Sequence, residues 1–137
     1  MILDTSAVVA IIKNEPEAET FLNALFLSNE PLRMSAASYL ESAAVLDSDP
    51  NQRVGMALDD FIGETEVIIE PVTENQARLA RRAMQIFGRG SGSKAKLNFG
   101  DCFTYALAKD LREPLLYKGN DFLHTDVRSA LPRSSSE

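Results

Sequence analysis

The sequence has one cysteine and one histidine, no apolar run near bilayer length, and, in its opening Met1-Ile2-Leu3-Asp4, no basic region leading into a hydrophobic stretch. Each shortage excludes something. Cys102 has no internal disulfide partner, and with His124 as the lone imidazole a zinc site built from several such ligands is excluded. Cys102 lies in an apolar, helical pattern and reads as a buried structural thiol rather than a nucleophile. A reducing, cytoplasmic setting fits. No stretch reads as a membrane span, and the opening residues do not read as a signal peptide. Net positive charge is missing too. A balance of −6 argues against holding nucleic acid by bulk attraction.

What is present suits a single globular domain. With 137 residues, 45% hydrophobic and 25% charged, one core accounts for the chain. We expect it to span residues 1–131, with 132–137 as a frayed tail. The charge is unevenly spread. Four acids are singled out below, and without them the balance falls from −6 to −2. Residues 78–96 hold no acid at all, while Arg78, Arg81, Arg82, Arg89, Lys94 and Lys96 gather there. A polyanion can be met at that segment despite the acidic total.

Short apolar or β-branched runs at 1–4, 32–35, 66–72 and 114–117 alternate with helical patterns. Asp4-Thr5-Ser6 offers capping residues to an apolar helix over 7–12. Pro16 opens a second helix with Phe21, Leu22, Leu25 and Phe26 on one side. Ser35 caps a helix running to about Asp47, with Ala37, Leu40, Ala44 and Val45 inward. A helix over 52–62 turns Met56, Leu58 and Phe61 inward. Thr73-Glu74-Asn75-Gln76 is a capping-box pattern for a helix reaching Phe87. The Gly/Ser-rich stretch 88–93 reads as a mobile surface loop. Asn98 caps a last helix with the stripe Phe99, Cys102, Phe103, Ala106 and Leu107. Such alternation implies a parallel sheet covered on both faces, an α/β/α sandwich in three layers. Ligands bind such sheets beyond the carboxyl ends of the strands.

That rule selects acids. Asp4 ends the first strand and Asp121 follows the fourth, although the one also suits a helix cap and the other a turn. Glu41 falls among the inward positions of its helix, where a carboxylate is costly unless something positive pairs with it. Its neighbours Ser38 and Ser42 are uncharged, so a metal ion or a distant arginine must serve. Asp101, three residues after Asn98, either completes a capping box or faces the mouth of the helix, whose N-terminus stabilises its charge. Carboxylates without accompanying His or Cys suit Mg²⁺ or Mn²⁺, and a pair of such ions roughly 4 Å apart is one solution for phosphodiester cleavage. Thr5 and Ser6 either orient Asp4 or cap a helix. Lys118 lies close enough to the fourth strand's end to face a substrate, and Asp126 either joins the acids or lies on the surface.

Four blocks now stand out: Met-Ile-Leu-Asp-Thr-Ser-Ala, Ser-Ala-Ala-Ser-Tyr-Leu-Glu, Leu-Asn-Phe-Gly-Asp-Cys-Phe and Leu-Leu-Tyr-Lys-Gly-Asn-Asp-Phe. In this order they resemble the PIN-domain family, and within it the VapC-type toxins of toxin–antitoxin pairs. The resemblance implies strand order 3-2-1-4-5 and places metal-site roles on Asp4, Glu41, Asp101 and Asp121. It implies Mg²⁺- or Mn²⁺-dependent endonucleolytic cleavage of RNA, leaving a 5′-phosphate and a 3′-hydroxyl. Transfer or ribosomal RNA is the expected target, translation the process inhibited, a homodimer the assembly and a cognate antitoxin the silencing partner. The alternative is a non-catalytic PIN-like module acting through its partner interface. A phosphoacceptor receiver domain needs adjacent acids after the first strand, where Thr5 stands. An Asp-x-Asp hydrolase fails because Ser6 fills the second position.

Overall fold

Neighbouring residues on a strand point to opposite faces, and Ile2 and Leu3 divide the molecule accordingly. A computed structural model describes residues 1–132. In it β1 (Ile2–Leu3) lies between β2 (Arg33–Ser35) and β4 (Leu115–Leu116), and β3 (Ile68–Glu70) lies outside β2. All three pairings are parallel. Leu3, Met34 and Leu116 enter one core, with Ala7, Phe21, Leu46, Leu58 and Phe61. These come from α1 (Thr5–Ile12), α2 (Ala18–Leu27), α3 (Ala36–Asp47) and α4 (Gln52–Thr65). Ile2 and Leu115 enter the other core, with Ala80, Ala83, Cys102 and Leu107 from α5 (Glu74–Phe87) and α6 (Phe99–Leu111). Helices thus cover both faces of a parallel sheet, the three-layer sandwich that alternation implies.

The order β3-β2-β1-β4 reproduces the first four places of the expected 3-2-1-4-5. The fifth is reduced, among the described residues, to one parallel bridge between Leu115 and Ser129. Arg128 and Ser129 stand there in place of apolar residues that a sheet could bury. The expected strand 66–72 shortens to three residues, since it is an edge with one neighbour and both Ile68 and Ile69 stay exposed. Residues 133–137, most of the expected tail, lie outside the described residues.

Several helix faces differ from the apolar pattern. Pro16 lies in the turn before α2, which starts at Ala18 after its N–H bonds Glu15 O at 2.9 Å. Phe26 of α2, Met56 of α4 and Phe99 of α6 point outward. The largest departure is α3. Its buried residues are Ser38, Ser42 and Leu46, whereas Leu40 is 68% exposed and Val45 is exposed as well. The serines bury without penalty because each hydroxyl is bonded: Ser42 Oγ donates to Ser38 O at 2.8 Å, and Ser38 Oγ pairs with Thr104 Oγ1 at 2.9 Å. Small side chains on that face also let α3 lie close to α1 and α6.

The Gly/Ser-rich stretch is tied rather than loose. Gly88 bridges Leu97, Leu97 N donates to Phe87 O at 2.8 Å and Arg89 N to Leu97 O at 3.1 Å. Ala95 is buried beneath it. Among the described residues no helix is long and apolar enough to cross a membrane.

Candidate active site

Asp4 leaves β1 at its carboxyl end and becomes the N-cap of α1. Its Oδ2 accepts from Ser6 N at 3.0 Å and Ser6 Oγ at 2.6 Å, while its Oδ1 accepts from Thr104 Oγ1 at 2.8 Å. With that proton given to Asp4, Thr104 accepts from Ser38 Oγ. One buried chain of hydroxyls therefore joins α3 and α6 to the end of β1. Neither Ser38 nor Thr104 was legible as a site residue. The only signal for either is helical spacing, Ser38 three before Glu41 and Thr104 three after Asp101. Of the two hydroxyls beside Asp4, Ser6 orients it, and its Oγ also accepts from Lys118 N at 2.9 Å. Thr5 instead turns to α3 and bonds Ser38 O at 3.1 Å.

Asp101 does complete a capping box. Its N–H donates to Asn98 Oδ1 at 2.8 Å, and its Oδ2 accepts from Asn98 N at 3.0 Å. Its carboxyl is pushed up to about 7, first by burial and then by the charges of Asp4, Asp121 and Glu41, against the backbone hydrogen bond from Asn98. The other three acids therefore act electrostatically on this one group. Glu41 is half-buried and its carboxylate rests on Gly100, where any added Cβ would overlap it. Glycine at 100 is what lets Glu41 reach the α6 N-terminus. Asp121 is exposed and lines an open groove with Arg89 and Lys96.

The structure thus places Asp4, Glu41, Asp101 and Asp121 together at the carboxyl edge of the sheet. None of the four makes an ion pair with Lys or Arg among the described residues. Among those residues, no group of three or more His, Cys, Asp or Glu side chains is placed to hold a metal ion as the site stands. The acids are neighbours, not a finished shell. By donor chemistry alone, carboxylates without accompanying His or Cys are the kind of set that suits Mg²⁺ or Mn²⁺.

Other candidates fall away from it. Asp126 accepts from Tyr105 Oη at 2.7 Å and pairs with Lys109 at 2.9 Å. Burial there acts to raise its carboxyl, but those two bonds outweigh burial and hold it below the usual range. It does not join the site. The Lys118 ammonium pairs with Glu15 and Glu17, each at 3.3 Å, while its backbone N–H reaches Ser6 beside Asp4. Cys102 is buried, its thiol pushed up to about 11 by burial and then by the charge of Asp101. It is inert as a nucleophile at neutral pH.

A family model described as the PIN domain matches residues 1–128. The chain belongs to the PIN-domain family. Its curated relatives include Ribonuclease VapC28 of Mycobacterium tuberculosis, 57% identical over 97% of this chain and 99% of that one. The PIN fold is also shared with the crystal structure of VapC20 from Mycobacterium tuberculosis, described as a sarcin–ricin-loop-cleaving toxin. That match has a TM-score of 0.73 and 18% identity, over 92% of this chain and 95% of that one. A toxin–antitoxin complex from Klebsiella pneumoniae matches at TM-score 0.66 and 20% identity, over 91% and 92%.

Proposed function

We propose that this PIN domain is an endoribonuclease toxin dependent on Mg²⁺ or Mn²⁺, a single nuclease unit over residues 1–131. The observation that carries the reading is the gathering of Asp4, Glu41, Asp101 and Asp121 at one sheet edge with no cation against them among the described residues. The reaction is hydrolysis. Water adds to phosphorus, the bond to the 3′-oxygen breaks, and the products are a 3′-hydroxyl and a 5′-phosphate. A divalent ion, when bound, activates water and neutralises charge on the scissile phosphate.

The chain's own part is to hold carboxylates in place. Ser6 and Thr104 fix both oxygens of Asp4. Asn98 fixes Asp101 through its backbone N–H. Gly100 leaves room for Glu41, and Asp121 stands on the open side where a strand arrives. Asp4 and Asp101 are the direct ligands in this reading. Glu41 and Asp121 complete the set, directly or through water.

The relatives named as ribonucleases support an RNA substrate, and the toxin–antitoxin neighbour supports a cognate antitoxin as partner; we propose transfer or ribosomal RNA as the target and inhibition of translation as the outcome. We propose a homodimer in the cytoplasm. Apolar side chains left on the surface of α2, α3 and α4, among them Phe26, Leu40 and Met56, offer such protein partners area to bury.

The test is cleavage of total cellular RNA by antitoxin-free protein, with Mg²⁺ and with chelator. The expected result is cleavage only with the ion, and its loss in Asp4→Asn and Asp101→Asn with melting unchanged or raised. Cleavage that resists the chelator contradicts the reading. Toxicity on expression that survives both substitutions supports the non-catalytic module instead.

A further inference from the structure

Beside the four carboxylates lies a groove whose walls are Arg89, Gly90, Gly92, Ser93, Lys96 and Asp121. A bound ion offsets charge at the scissile phosphate alone, so the flanking phosphates of an RNA strand are repelled by the acidic edge unless other positive charge lies close by. Lys118, the cation nearest in sequence to Asp121, is engaged by Glu15 and Glu17. Arg89 and Lys96 are different. Both are exposed, and neither has an acidic partner among the described residues.

Their placement is built rather than incidental. Arg89 and Lys96 flank the neck of the 88–97 loop, which the Gly88–Leu97 bridge closes. Ala95 and Leu97, on either side of Lys96, are both buried. Lys96 adopts φ 52°, in the left-handed region that favours glycine. The chain thus holds a lysine where a glycine would sit more easily. Leu97 runs straight into Asn98 and the capping box of Asp101, so the two cations are tied to the acid-bearing helix end through a few residues of fixed backbone.

Resting on the ribonuclease reading, we infer that this groove seats the RNA backbone next to the scissile bond, with Arg89 and Lys96 contacting its phosphates. Such contacts position a strand without reading its bases, so the groove serves any RNA that the cleft accepts. A second basic groove, lined by Arg112 and Arg128, lies at the other end of α6 and at the amino end of β4. Glu30 and Glu113 share it, and it provides the control.

The test is fluorescence anisotropy of a short labelled oligouridylate in divalent-free buffer across a salt series, with RNA cleavage in Mg²⁺ on the same samples. Arg89→Gln/Lys96→Gln is expected to weaken binding on the order of tenfold and to lower the magnitude of the log Kd–log salt slope by about 1.4, at ~0.7 per single-strand phosphate contact. Its melting temperature is expected to match the wild type, and Arg112→Gln/Arg128→Gln is expected to bind like the wild type. The inference is overturned if the wild type does not bind, or if the groove variant binds no worse than the control. Those outcomes with Mg²⁺-dependent cleavage intact leave the nuclease reading standing. A wild type that binds but cleaves nothing overturns the nuclease reading instead, and with it the scissile bond that the groove is said to flank.

Discussion

Ser6 and Thr104 between them hold both oxygens of Asp4, and Ser38 holds Thr104. Thr104→Val keeps the shape of the side chain, removes its proton and leaves a buried carboxylate oxygen without its donor, at a cost of about 1–3 kcal/mol. We expect divalent-ion affinity to fall about 10- to 100-fold, as is typical when a ligand loses its supporting hydrogen bond, and Thr104→Ser to restore most of it. Equal affinity in Val and Ser variants contradicts this role. At this scale the sequence was partly legible. Asp4, Asp101 and Asp121 announce themselves through caps and strand ends, which are local rules. Thr104 does not, because its partner lies about a hundred residues away and only the fold brings the two together.

At the scale of elements, α3 shows why a correct residue can rest on a mistaken face. Leu40, Ala44 and Val45 suggest an inward stripe, yet the helix buries Ser38, Ser42 and Leu46. Apolarity predicts burial only when polar groups lack partners, and these serines have partners on α6 and on their own backbone. Glu41 comes to the candidate site at the margin of that serine face, not within an apolar one. Its reach depends on α6 having glycine at its second position. Gly100→Ala should therefore separate stability from activity. Alanine is at least as compatible with a first-turn helical position as glycine, while its methyl displaces the flexible end of Glu41. The expected outcome is a melting temperature equal to or above that of the wild type, with RNA cleavage reduced at least about tenfold. Unchanged cleavage removes Glu41's position from the account.

For the whole molecule, the two-sided cover was readable because parallel strands need helical crossovers, whereas the sheet order came only from the likeness to the PIN-domain family. The fifth strand was not readable, since a single bridge leaves no periodic trace. The acidic total hides an arrangement in which acids converge at one edge and cations without an acidic partner among the described residues line a groove beside them. Burial first, and the neighbouring acids after it, give Asp101 a pH signature. The Asp101 carboxyl stands up to about 7 in the fold, against 3.8 as its ordinary value. The folded chain therefore holds this proton where the unfolded chain has released it. Stability without metal must decline as pH rises through that interval and level off above it. Thermal melts of wild type and Asp101→Asn in chelator should diverge across this window, the variant lacking the decline. Parallel melting curves contradict the buried setting of Asp101 among its neighbouring acids.

All of this converges on whether the four acids bind a divalent ion. Titration calorimetry of the antitoxin-free chain with Mn²⁺ asks that directly. A saturable heat in the wild type that disappears in Asp4→Asn is the predicted result. No binding by the wild type, or equal binding by the variant, contradicts the account.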